Sequence, residues 1–94
     1  MEVRFRIPGP LLPLTAGAAD VRVEAAGNTL GDALSALWAR HPGLRDRILD
    51  DRGALRRHVN IFVGRESART TGGLETPLSP TDEIAILPAV SGGR

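Results

Sequence analysis

At 94 residues and a formal net charge of +1, the chain makes one domain, with room for a modest core but not for an elaborate enclosed active site. Hydrophobic residues at 41% and charged residues at 24% are those of an ordinary soluble globular protein, and no apolar run approaches the roughly 20 residues of a membrane span. Cysteine is absent, which excludes disulfides, thiolate catalysis and Cys-based zinc sites and points to a reducing, cytoplasmic setting.

Residues 2–7 alternate strictly, with Val3, Phe5 and Ile7 on one side and Glu2, Arg4 and Arg6 on the other. That is the period of a half-buried strand, and it has nothing of a secretory signal. Pro8, Gly9, Pro10 and Pro13 interrupt the run, and a Gly/Ala-rich turn follows through Ala19. A second alternation places Val21 and Val23 inward and Asp20, Arg22 and Glu24 outward. The two runs suggest a hairpin with a loop longer than a tight turn.

The stretch NTLGDALSALWARHPG is the clearest helix. Leu30, Ala33, Leu34, Leu37 and Trp38 share one helical face, Thr29 with Asp32 has the spacing of a capping box, and His41-Pro42-Gly43 ends the run. Residues 44–51 have room for another helical turn or two. RHVNIFVG is a third strand, with Val59, Ile61 and Val63 inward, Asn60 and Phe62 outward, and a turn starting at Gly64. Residues 65–82 are irregular, with TTGG and SPTDE as turn signals and space for one short strand. EIAILP is the last strand, its Ile84 and Ile86 inward and Ala85 and Leu87 outward, and Pro88 stops it.

The order strand, strand, helix, strand, short strand, strand describes an α+β layer pair, a sheet with one helix packed across it. No repeat or internal boundary divides residues 1–88, and residues 89–94 read as a flexible tail. The expected core is Val3, Phe5, Ile7, Val21, Val23, Leu30, Leu34, Leu37, Trp38, Val59, Ile61, Val63, Ile84 and Ile86.

Polar side chains that could form a catalytic cluster are missing. His41 sits in a helix-ending turn. His58 opens a strand with no second ligand at metal spacing, so no metal site and no catalytic residue is expected. The two GG pairs lack the flanking lysine of a phosphate cradle. All twelve basic residues are arginine, a bias that base composition explains and that leaves no side-chain amine. The arginines of residues 40–57 are interrupted by Asp46, Asp50 and Asp51, and three aromatics offer little stacking for bases. Neither nucleic acid nor a membrane is an expected partner.

The tail is the unusual part. After Pro88 come Ala89, Val90, Ser91, Gly92, Gly93 and Arg94, small until the last residue. Such a segment has little to bury, and glycine adds conformational freedom. A chain without Cβ atoms can instead thread a narrow channel and carry a terminal carboxylate deep into another protein.

On the residues NTLGDALSAL, HVNIFVG and GGLETPLSPTDEIAILPAVSGG, nearly the whole chain resembles the ubiquitin-like β-grasp sulfur carriers. These include the thiamine-pathway carrier and the small subunit of molybdopterin synthase. The carrier of the actinobacterial cysteine-biosynthesis pathway is the most similar in pattern. The resemblance implies a β-grasp fold, a mixed sheet of four to five strands with one main helix across it. It implies a reagent and not an enzyme. An activating enzyme uses ATP to adenylate the carboxylate of Gly93, and sulfide or a persulfide displaces AMP to leave a thiocarboxylate. Gly92 and Ser91 would let the tail thread the partner's channel. The chain itself would bind no cofactor.

Further partners implied by the resemblance are a sulfur-acceptor synthase of the pyridoxal-phosphate-dependent kind and a metal-dependent protease. Arg94 departs from the pattern, because it leaves Gly93 without a free carboxylate. It is a precursor residue to be trimmed, a cloning remnant, or the first residue of a longer extension. For partner docking, the strand parities nominate Phe62 and Leu87, with Arg4 and Arg6 beside them, on the face away from the helix. Alternative readings are a molybdopterin synthase small subunit, a ubiquitin-like protein modifier that acylates lysines, and a non-covalent β-grasp interaction module.

Overall fold

The computed structural model describes residues 1–88. The expectations placed on Ser91, Gly92, Gly93 and Arg94, and on a tail over residues 89–94, lie outside the described residues. Strand β1 (Glu2–Arg6) pairs antiparallel with β2 (Asp20–Glu24), setting Val3 opposite Val23 and Phe5 opposite Val21. The proline-rich link between them forms a 3-10 segment, Gly9–Thr15, which turns Leu11 into the core. The buried hydroxyl of Thr15 donates to the carbonyl of Ala18 at 2.7 Å, so its burial leaves no polar atom unpaired.

Helix α1 (Leu30–Arg40) starts on the capping box that its sequence implied. The Asp32 N–H donates to Thr29 Oγ1 at 3.2 Å, and the Thr29 N–H donates to Asp32 Oδ2 at 3.3 Å. Its buried face is Leu30, Ala33, Leu34 and Leu37, and His41 ends it ahead of Pro42. A 3-10 turn (Pro42–Leu44) and the short helix α2 (Arg45–Ile48) follow, burying Leu44 and Ile48.

Strand β3 (Val59–Val63) turns through Gly64, at φ 63°, into the two-residue β4 (Glu66–Ser67). A four-residue helix α3 (Ala68–Thr71) and a 3-10 turn (Gly73–Glu75) then lead to β5 (Glu83–Pro88). The link crosses the start of α1, where the Leu30 N–H donates to Thr76 O and the Leu78 N–H to Asn28 O. At Gly31 a side chain would have its Cβ 3.2 Å from the carbonyl oxygen of Leu74. The glycine therefore permits this close crossing.

The five strands lie in the order β2-β1-β5-β3-β4. The β1–β5 pair is parallel and the others antiparallel, giving the expected mixed sheet with one main helix. Strand β5, last in sequence, is the middle of the sheet.

Twelve of the expected core residues are buried, and two are not. Trp38 and Val63 only pack against the core from its margin. Trp38 stands about 90° around α1 from the centre of the buried arc, at ~100° per residue, so it flanks the core instead of filling it. Val63 is the last residue of β3, where the sheet runs out of cover. The core also takes in Leu11, Ala25, Leu44, Ile48, Leu49, Ala68 and Leu78, which the links between elements supply.

Candidate functional site

The side chains that β1, β5 and β3 turn away from the core form one face. In register, Arg6 of β1 lies beside Ala85 of β5, and Ala85 lies beside Phe62 of β3. Adjacent strands run about 4.8 Å apart, so Arg6 and Phe62 flank the small Ala85 across roughly 10 Å. One step along the same face Leu87 pairs with Asn60, which makes Leu87 a diagonal neighbour of Phe62. Leu87 is 45% exposed, the one large hydrophobic residue so exposed among the described residues, and Phe62 is half-buried. The structure thus gathers Phe62, Leu87, Arg4 and Arg6 onto one face, as the strand parities implied.

Arg4 is held there by Asp20 at 3.1 Å and Glu83 at 3.6 Å, and Arg6 by Glu83 at 3.7 Å. All of these groups are solvent-exposed, so the pairs add little stability. What they do is hold two guanidinium groups beside the apolar spot.

Beside this face lies the end of the sheet at which the described residues stop. Pro88, the last described residue, is registered opposite Val59 at the start of β3. A groove of about 380 Å³ opens at that end, floored by Leu11, Val59 and Ile86 and rimmed by Arg47, Arg56, His58 and Asp46. The approach to β3 is pinned from outside by Arg69. Its guanidinium donates to the carbonyls of Val59 at 2.6 Å and Arg57 at 3.2 Å, and to that of Arg56. Its Nε donates to Asn60 Oδ1 at 3.3 Å. In the loop before it, Asp50 Oδ1 accepts from the N–H groups of Ala54 at 3.0 Å and Arg52 at 2.9 Å. Those two bonds, Ala54 first, hold its carboxyl below the ordinary carboxylate range.

Among the described residues no group of three or more His, Cys, Asp or Glu side chains could hold a metal ion, and no helix is long and apolar enough to cross a membrane. His41 closes α1, and His58 sits at the groove rim and not inside the strand.

Comparison with known proteins decides what the face and the tail belong to. The ThiS family model matches residues 5–93, from β1 to the second glycine of the tail. The chain belongs to the ThiS family. Within it, the sulfur carrier protein CysO of Mycobacterium tuberculosis is 43% identical over 95 residues, covering 99% of this chain and all of the relative. A chain in the crystal structure of the Amycolatopsis orientalis BexX/CysO complex superposes with a TM-score of 0.86 at 36% identity, covering 97% of this chain and 99% of that one. Small archaeal modifier protein 1 of Haloferax volcanii is 42% identical over 79 residues, 83% of this chain and 86% of the relative. This ThiS-family chain is a ubiquitin-like sulfur carrier, a β-grasp protein that other enzymes act upon, and not a catalyst.

The groove at the tail exit is the part that reading the ThiS-family sequence did not single out. Its arginines were visible as a run in residues 40–57. Only the fold shows that α2 and the loop leading into β3 bring Arg47, Arg56 and His58 around one opening.

Proposed function

We propose that Gly93 is the working end of this carrier. Removal of Arg94 frees the Gly93 carboxylate, which an activating enzyme converts with ATP to the acyl-adenylate, releasing pyrophosphate. Sulfide then attacks the acyl carbon, AMP leaves, and the glycine ends in a thiocarboxylate. Where a persulfide is the donor, its terminal sulfur displaces AMP to give an acyl disulfide. A second thiol of the donor protein then cleaves the S–S bond, releasing the thiocarboxylate and leaving a disulfide behind. A carboxylate is a poor electrophile, and the mixed anhydride supplies the leaving group. The thiocarboxylate is an ionised nucleophile near neutral pH, and it passes sulfur to an acceptor synthase, of the pyridoxal-phosphate-dependent kind in a cysteine-forming pathway. A metal-dependent protease would trim the tail or release the product. The chain's own contribution is to present the tail and to be recognised by its face at Phe62, Leu87, Arg4 and Arg6.

The observation that carries this reading is the 43% identity to a sulfur carrier over 99% of the chain, with Gly92 and Gly93 following the central strand in sequence. Intact-protein mass spectrometry tests it. The chain as given and a version ending at Gly93 are incubated with host cell extract, ATP and sulfide. Loss of arginine followed by exchange of one oxygen for sulfur is the expected course for the full chain. No change in either form, under conditions that load a known relative, overturns the proposal.

The 42% identity to an archaeal modifier favours a second reading, in which the same activated acyl group is passed to lysines of other proteins. Adducts on extract proteins in the same spectra would reveal it.

A further inference from the structure

The groove at the tail exit has a chemistry of its own, apart from the face that carries Phe62. Its floor of Leu11, Val59 and Ile86 is apolar, while Arg47, Arg56 and His58 stand on its rim. The acid on that rim, Asp46, is engaged elsewhere, with Arg45 Nη1 at 3.3 Å from its carboxylate. Asp50, the next acid along, keeps its charge on two backbone N–H groups and partly offsets Arg52 and Arg56. Arg47 has no ion pair among the described residues. Two arginines against one carboxylate leave the opening with an excess of positive charge centred on Arg47, and such a charge beside an apolar floor suits an aliphatic carboxylate side chain.

Its position says which protein would supply that carboxylate. Val59 lines the groove and is also the register partner of Pro88, so the last described residue stands at the groove's edge. Gly93 is five residues beyond Pro88 and can reach at most about 17 Å even fully extended. An enzyme that takes Gly93 into its active site must bring the mouth of that site within this distance of Pro88. The basic rim then lies under the mouth.

We propose that this groove is a second docking subsite, taking an acidic side chain of the activating enzyme from the rim of its active site. The inference rests on the carrier reading above. It adds a steering role, since opposite charge at the mouth brings the tail in correctly oriented, and salt weakens the effect because the Debye length at 0.15 M is about 8 Å.

The test measures binding of the chain as given and of the version ending at Gly93 to the host's purified activating enzyme by titration calorimetry, at low and at physiological salt. Arg47→Glu combined with His58→Glu should weaken binding roughly tenfold or more and flatten its salt dependence. Arg65→Glu makes the same charge change as Arg47→Glu alone, in the turn at the opposite end of β3, and should leave affinity within about twofold. Circular dichroism establishes that both are folded. Should the double variant lose its fold, Arg47→Gln alone must still weaken binding and reduce the salt slope. Affinity of the charge-reversed variant equal to that of the wild type, or a loss matched by Arg65→Glu, overturns the subsite while leaving the carrier reading intact. If neither form of the wild-type chain binds, both fall. Tight binding with no sulfur gain in the mass spectra overturns the carrier chemistry alone.

Discussion

At the start of α1 three residues act as one device. Thr29 and Asp32 each satisfy the other's backbone N–H, and the Thr29 hydroxyl also donates to Asp32 Oδ2 at 2.9 Å. Gly27 completes the arrangement by being small, because a Cβ there would lie 2.1 Å from Asp32 Oδ2 and 2.8 Å from its Cγ. Thr29→Ala is expected to cost about 1 kcal/mol. Gly27→Ala should cost a similar amount by displacing the Asp32 carboxylate. The two should not add, since each removes the same cap. Urea unfolding of the two single variants and the double variant measures this. Full additivity would mean that Gly27 acts through something other than the cap.

At the scale of the element, the strands β1, β2, β3 and β5 and the helix α1 were legible because each alternates or repeats long enough to show its period. The strand parities for Phe62 and Leu87 were legible for the same reason. The links were not. Leu44, Ile48 and Leu49 are buried, yet they sit in a 3-10 turn, a four-residue helix and its C-cap, all too short to show a period, and tertiary packing alone decides their fate. Leu11 is hidden among prolines. Trp38 was misread because it falls at the flank of the apolar arc, where hydrophobic character does not distinguish core from margin. The basic groove was illegible for a related reason, since α2, β3, β5 and the 3-10 segment each contribute only one or two residues to it.

The open side of β1, β5 and β3 yields its own prediction. Phe62 rests on the sheet beside Ala85, outside the core. Phe62→Ala should therefore leave the thermal midpoint within a few degrees of wild type. It should raise the KM for the carrier in ATP–pyrophosphate exchange, run with chains ending at Gly93, by roughly tenfold or more, as truncation of a buried aromatic anchor does. Unchanged exchange kinetics would remove this face from the docking surface.

At the scale of the whole molecule the sheet is closed by its most distant partners. Phe5 of β1 is registered beside Ile84 of β5, so the centre of the sheet cannot form until the two ends of the domain meet. Topologies dominated by such non-local pairs fold slowly for their size, and refolding is expected on the millisecond-to-second scale. Stopped-flow fluorescence of Trp38, the single tryptophan, would follow it. A microsecond phase that recovers the full native signal would show that the β1–β5 closure does not limit the rate.

The central place of β5 has a mechanical consequence. A partner that draws the tail inward pulls along β5, which is hydrogen-bonded to β1 on one side and to β3 on the other. Force along a strand flanked on both sides loads those bonds together in shear, whereas an edge strand can be peeled away one bond at a time. Load applied through the last strand is thus shared by the whole sheet, and the domain moves as one body before any strand comes loose.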